Sequence, residues 1–432
     1  MKTAKLSVLA LLWSFNALAS GFALYEASAR NVALGGALVG STRDATAVYN
    51  NPANMGENTN VMVTVGATFV NPFCDVAVNH KNQNKMNAGW FTIPHAYATI
   101  PLPGRFAFGI GEYSEYGIGT KYNTHWGLAG DSYETTVEQI TTSPVVSFQA
   151  TDDWSIAAGM RISWIEFENR RHPYRQTTQY MNSLPMPYSM VFGSDNTLKS
   201  RLKGDDWALG WLLATQYRIT DTVRVGLLYR SPIRHKIKGD FDLSGRAMNA
   251  DIRGHSYASG KVELPQSITA GVNWDATERL RLGYSMTWTR WSSLDDLNFH
   301  IPYQNTLNGS RSDESVRFNW HDVFRFGWGG EYDVNDWFTF RASYQYDMDP
   351  SSPHHGTTMM PCGHRHLIST GGGFYLGHGI SLDLAYSIVL MESESRWITE
   401  KGIPGVTPDT RSKFQTRNGI THMLSASLSY EF

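Results

Sequence analysis

The feature that most limits this chain is a one-for-one alternation of apolar and polar residues that recurs to its last position. At the end, Leu424, Ala426, Leu428, Tyr430 and Phe432 fall on one face and Ser425, Ser427, Ser429 and Glu431 on the other. "LRLGYSMTW", "FTFRASYQY" and "ISLDLAYSI" repeat it. Side chains of a strand point to opposite faces with period two, so such segments are strands with one oily and one polar side. No helical period is sustained anywhere.

Alternation alone does not separate a soluble sandwich, oily side inward, from a membrane barrel, oily side toward lipid. Connection lengths do. The pattern predicts fourteen strands, at about 61–70, 93–101, 105–117, 134–150, 154–170, 205–219, 222–237, 259–274, 278–292, 317–332, 336–348, 365–376, 380–392 and 420–432. Short connections fall at 102–104, 151–153, 220–221, 275–277, 333–335 and 377–379. Between them lie long ones, at about 71–92, 118–133, 171–204, 238–258, 293–316, 349–364 and 393–419. Short turns on one rim and long loops on the other mark bacterial outer-membrane barrels. An even count puts both barrel ends on the periplasmic rim. Trp154, Trp274, Trp337, Tyr430 and Phe432 sit by the short turns, where an interfacial aromatic girdle is expected. The terminal Phe432 also suits the end signal read by the outer-membrane assembly machinery. A secreted all-β sandwich array explains neither the loop asymmetry nor that terminal aromatic.

The expected domain order is a signal peptide at 1–19, a plug at 20–60 and the barrel at 61–432. Lys2 and Lys5 precede an apolar core of ten residues at 6–15, and Ala17-Leu18-Ala19 is a small-x-small cleavage site. Ten apolar residues are too few to span a bilayer, and no run near 18 follows. The net charge of −2 gives no basic field for nucleic acid. No G-x-S-x-G, H-E-x-x-H or phosphate loop is present, so neither an enzyme nor a cofactor is expected.

"SGFALYEASARNVALGGALVGSTRDATAVYNNPANMG", "YGIGTKYNTHWGLAG", "YRSPIRHKIKGDF", "ELPQSITAGVNW", "TWTRWSSLDDL", "FRASYQYD" and "DLAYS" lie in an order and spacing that resemble the FadL/TodX family of outer-membrane hydrophobic-compound transporters. The resemblance implies a monomeric all-β fold, a 14-stranded antiparallel transmembrane barrel plugged by an N-terminal hatch at 20–60. It implies a long-chain fatty acid or similar hydrophobic ligand, passing from extracellular loops to a lumen pocket and out sideways at a kinked third strand. Outer-membrane lipid and lipopolysaccharide are the implied surroundings.

Several residues are candidates for these parts. Met181, Leu184, Met186, Met190, Val191 and Phe192 make the loop at 171–204 apolar, which suits either a ligand groove or packing beneath the loop. In "RFAFGIGEYSEYGIG", Phe106, Phe108 and Ile110 face lipid, then Glu112 falls on that face and alternation fails. Gly109 and Gly111 there are candidates for the lateral gate, or simple barrel-corner glycines. Arg161, Arg224, Arg230, Arg281, Arg325 and Arg341 fall on lumen faces. A buried ligand carboxylate needs such a partner. Arg161, Arg325 and His321 are the candidates for it, while pairing with lumen acids such as Asp347 and Asp383 is the plainer reading. Asn51-Pro52-Ala53 matches the family's hatch motif and would also serve as a turn into strand one. Where many members have Pro-Asp-x-x-Arg, this chain has Pro361-Cys362-Gly363-His364-Arg365. Cys362 is then a candidate for a disulfide with Cys74, or for a metal site with His354, His355, His364 and His366. A general porin or a surface adhesin or phage receptor is the rival function.

Overall fold

A computed structural model describes residues 21–79, 81–87, 89–173, 197–247, 250–302, 314–400 and 409–432. The expected signal peptide and the six apolar loop residues, Met186, Met190 and Phe192 among them, lie outside the described residues.

Fourteen antiparallel strands make one closed sheet. They are β1 (Met62–Val78), β2 (Phe91–Leu102), β3 (Phe106–Tyr113, resumed at Gly117–Lys121), β4 (Glu134–Gln149) and β5 (Trp154–Arg171). Then come β6 (Lys199–Arg218), β7 (Val223–Arg230, resumed at Ile233–His235 and Lys238–Ala247) and β8 (Ala250–Leu264, resumed at Ser267–Asp275). The rest are β9 (Leu280–Thr289), β10 (Val323–Asn335), β11 (Phe338–Asp347), β12 (Arg365–Gly377), β13 (Ile380–Met391) and β14 (Thr410–Glu431). Each strand pairs with its neighbour in the chain. β14 closes on β1 in a register running from Met62 opposite Glu431 to Val78 opposite Phe414.

The faces follow the alternation. Val65, Phe69 and Phe73 on β1 and Leu424 and Leu428 on β14 are exposed on the outer wall, while Thr64, Thr68, Ser425 and Ser427 are buried within. Trp154, Trp274, Trp337, Tyr430 and Phe432 are exposed beside the short turns, as the girdle requires. The turn between β12 and β13 puts Gly377, His378 and Gly379 at positive φ, and a Cβ on Gly379 would lie 2.1 Å from the Glu431 carbonyl oxygen.

Strands run further past the membrane than the sequence pattern indicates. The connection expected as a loop at 238–258 is a hairpin, with Phe241 and Leu243 buried beside Leu202 and Ile252 on its inner face. Much of the connection at 393–419 is likewise strand, Ser395–Glu400 pairing with the start of β14. Apolar residues on their inner faces extend the barrel wall above the bilayer.

Residues 21–60 lie against the inner wall. Ser28 accepts the amide of Asn31 and caps a one-turn helix, α1 (Ala29–Ala33). A second turn, α2 (Ala47–Asn50), leads to a 3-10 helix at Pro52–Glu57. Val48, Ala53 and Met55 pack against Ala107, Val145, Ala157, Leu212 and Leu228 of β3 to β7. Opposite, the backbone of residues 34–39 passes across Gly226, Gly271, Gly283, Gly327 and Gly329, one or two per strand from β7 to β10. A Cβ at Gly226 would lie 2.1 Å from the Val39 carbonyl oxygen, and one at Gly283 2.2 Å from that of Ala37. Glycine is what lets two backbones approach this closely.

Candidate functional site

The ladder of β3 breaks at Ser114, Glu115 and Tyr116. There the chain leaves β2 and pairs with the N-terminal segment instead. Leu24 donates its amide to the Glu115 carbonyl at 2.7 Å, Gly117 donates to Phe22 at 2.8 Å, and Ala23 bridges Tyr116. β2 keeps its β1 partner from Phe91 to Thr99, but its pairing with β3 covers only Ala96 to Leu102. Among the described residues, 91–95 therefore present one unpaired edge.

Side chains hold the break. Gln139 of β4 accepts the amides of Glu115 and Tyr116 at 2.8 and 3.2 Å, replacing ladder bonds that the bend removes. Its own amide donates to Ser163 at 2.8 Å. Glu115 is buried with Arg161 Nη2 at 2.5 Å and Arg230 Nε at 3.1 Å. Arg161 also donates to the Ser231 carbonyl. Arg161 is thus bound to Glu115 rather than left open for a ligand.

Gly109 and Gly111 precede the break and do not form it. A Cβ on Gly109 would lie 2.6 Å from both Met55 Sδ and Val48 Cγ2, and one on Gly111 3.0 Å from Val48 Cγ1. Neither has a positive φ, and their small size makes room for the N-terminal segment. The residues that turn the strand are the three that follow Tyr113.

Arg325 differs from its neighbours. It is buried, donates to Gln345 Oε1 at 2.7 Å, and lies 3.5 Å from the centroid of the Tyr25 ring. Its Nε has no hydrogen-bond partner, and among the described residues no carboxylate lies within ion-pair distance. The other lumen arginines are all paired: Arg224 with Glu57 and Asp275, Arg281 with Glu331 and Asp333, Arg341 with Glu331 and Asp383. Asp347 is taken by Arg365. Arg325, Arg230, Tyr25, Tyr49, Glu115 and the hydroxyls of Thr269 and Thr287 face one cavity of about 40 Å³. That holds a few waters and no acyl chain. Glu26 adjoins it, its carboxylate accepting the Tyr25 amide at 2.7 Å, and burial raises its pKa above the ordinary range. Above lies the largest apolar cluster, in which Phe22 packs at 5.1 Å from Trp291 and 5.4 Å from Tyr116. His321 is exposed and outside this group, being carried on a loop before β10 whose amide bonds Pro350.

Asn51 joins the N-terminal segment to the wall. Its Oδ1 accepts the Ala53 amide at 3.0 Å, while its Nδ2 donates to the carbonyls of Val39 at 2.8 Å and Thr215 at 3.0 Å. Pro52 occupies the first 3-10 position, where no amide donor is needed. Arg30 meets Asp44 of the same segment at 2.7 Å and, on the opposite wall, Glu331 at 3.0 Å, linking α1 to the network of Arg281, Arg341 and Asp383.

Cys74 and Cys362 are both free. The disulfide expectation is corrected by their surroundings. Cys74 is buried with Tyr122, Trp126 and Phe414, and Cys362 with Phe22, Trp291 and Trp320, in separate clusters. Beside Cys362, Asp349 pairs with Arg396, which also donates to the Cys362 carbonyl at 2.8 Å. His364 and His366 bond to Tyr346 and Glu392, and among the described residues no three metal-ligating side chains gather.

Glu115, Gln139 and the glycines of β7 to β10 escaped the sequence reading. Glu115 had a faint signal, a polar residue just past the point where alternation fails, while Gln139, in the middle of an uninterrupted strand, had none. The glycines had a clearer one, since they sit on lumen-facing positions of four successive strands.

The family model described as "Outer membrane protein transport protein (OMPP1/FadL/TodX)" matches residues 10–432. A long-chain fatty acid transport protein of Escherichia coli O6:H1 is 24% identical over 408 residues, 88% of this chain and 89% of that one. A 47 kDa outer membrane protein of Pasteurella multocida is 25% identical over 407 residues, covering 90% and 91%. Among solved structures, a Pseudomonas aeruginosa FadL homologue superposes with a TM-score of 0.80 at 21% identity, over 95% of this chain and all of that one. The P. putida toluene transporter TodX gives 0.72 at 19% identity, over 96% and 99%. With its closed 14-stranded barrel, the chain belongs to the OMPP1/FadL/TodX family of outer-membrane transport proteins.

Proposed function

We propose that this protein carries an amphiphile with a long apolar tail and an anionic head, of the fatty-acid class, across the outer membrane. The observation that carries the reading is Arg325, a buried guanidinium with an open Nε–H and, among the described residues, no carboxylate within ion-pair distance, set in a polar cavity beneath an apolar cluster. A carboxylate there would gain charge-assisted bonds that a hydrocarbon cannot make. The tail would lie among Phe22, Trp291 and Trp320 once that cluster opens. Residues 20–60 act as the plug in this reading, and Asn51-Pro52-Ala53 is its hinge to the wall. The unpaired edge of β2 beside the break in β3 is the lateral exit. Fatty-acid and toluene transporters among the relatives agree with a hydrophobic cargo.

Binding of radiolabelled oleate tests this. Arg325→Ala should weaken it by about 10- to 100-fold, the worth of one or two hydrogen bonds to a charged group. Toluene binding should change little. Equal loss of both would sink the headgroup role, and large non-selective conductance in planar bilayers would favour the porin.

A further inference from the structure

On the outer wall the apolar band reaches Phe73, which lies opposite Ile420, and basic residues follow directly above it on the extracellular side. A register shift between Phe73 and Asp75 turns the face of β14, so that Arg411, Lys413 and Arg417 point outward while Phe414 and Thr416 are buried. Alternate residues of a strand stand about 7 Å apart, so these cations form a column. Lys85 is exposed and pairs with Asp75, which pairs with Arg417, placing all three on one face.

Three details show how the column is built. Gln415 Oε1 accepts Arg417 Nε at 2.9 Å and steadies it. Arg411 lies 4.7 Å from the centroid of the Trp397 ring, itself exposed at 37%. Asp75, the carboxylate within the column, accepts Asn418 Nδ2 at 2.9 Å, and Asp409 stands at its upper end. Arg411 and Lys413 have no carboxylate within ion-pair distance among the described residues. The extension of β5 and β6 on another part of the rim differs. There Arg170, Arg201 and Lys203 are matched by Glu134, Glu166 and Glu168.

We propose that Arg411, Lys413, Arg417 and Lys85, with Trp397, bind the phosphorylated sugar head of the glycolipid that forms the outer leaflet. The column starts at the height where the apolar band ends and headgroups begin. The unmatched charges of Arg411 and Lys413 suit phosphate, and the tryptophan offers a flat face to a sugar ring. Support for this site is independent of the cargo carried through the lumen. It rests on the outer-membrane placement and on the long loops facing outward.

Delipidated protein is titrated with the purified outer-leaflet glycolipid, the same glycolipid after enzymatic removal of its phosphates, and inorganic phosphate. Wild type should bind the phosphorylated form. Arg411→Ala/Lys413→Ala/Arg417→Ala should bind it about a hundredfold more weakly, at roughly fivefold per cation. Arg411→Lys/Arg417→Lys should retain most of the binding. Equal wild-type affinity for the dephosphorylated glycolipid, or a triple variant that binds as wild type, overturns the proposal. Displacement by inorganic phosphate at equal concentration would reduce the site to one for free anions and overturn it too. Should the triple variant not fold, judged by heat-modifiable gel migration, the wild-type comparison of the two glycolipids still decides.

Discussion

Arg161 Nη2 lies 2.5 Å from Glu115 Oε2, which ties the point where β3 leaves its neighbour to the middle of β5. Arg230 shares the same carboxylate. Glu115→Gln would leave two buried guanidinium groups facing each other without a counter-charge. Breaking a buried pair on one side costs about 3–5 kcal/mol. Urea unfolding in detergent should show a loss of that order, and a change under about 1 kcal/mol would mean that the bend does not depend on Glu115.

Gly109 shows what the wall tolerates. Gly109→Val would press on Met55 and Val48 and drive the N-terminal segment off β3. Planar bilayers should then record higher ion conductance for the variant than for the wild type. A barrel that stays closed would show that the segment can shift elsewhere without opening the lumen.

Arg30 holds α1 to the far wall through Glu331 and to the rest of its own segment through Asp44. Burial opposes charge on Asp44, but Arg30 and Thr46 outweigh it and hold its pKa below the ordinary value. A lowered carboxylate pKa contributes stability above about pH 4, and that contribution disappears as pH falls through the folded value. Arg30→Ala should remove this acid limb and speed hydrogen exchange in residues 28–34. Exchange equal to wild type would place the anchor elsewhere.

Cys362 provides a chemical probe. Burial pushes its thiol pKa up to about 12. The folded protein therefore keeps a proton that the unfolded chain releases near pH 9, so this group's contribution to stability falls as pH rises from about 9 to 12. Maleimide at pH 7.5 should label Cys362 after unfolding and not before. Rapid labelling of the folded protein would show that the Phe22 cluster opens spontaneously.

The barrel was legible in the sequence because lipid outside and polar residues inside impose period two on every strand. That constraint fades beyond the bilayer. The 238–258 hairpin was read as a loop for this reason, since its outer face meets water. The site was less legible. Lumen arginines can be counted from alternation, but the partner of each depends on which strands meet. Arg161 and Arg325 look alike in sequence, and only the inward turn at Glu115 makes one an internal tie and leaves the other open. The two cysteines failed as a pair because nothing local places them in different clusters.

The pairing of β1 with β14 joins residues as far apart as Met62 and Glu431. Loop-closure entropy rises with the length enclosed, so this seam is the most demanding contact to nucleate. Until it forms, both terminal strands offer a bare edge, and residues 21–60, covalently joined to β1, have open access to the interior. Ala29 donates to Ser427 Oγ at 2.9 Å, so the segment touches the last strand as well as the first. The seam and the lumen contents are therefore sealed in one event. Disrupting β14 would therefore lose barrel closure and the contact with Ala29 together, so the wall and its inner lining stand or fall as one.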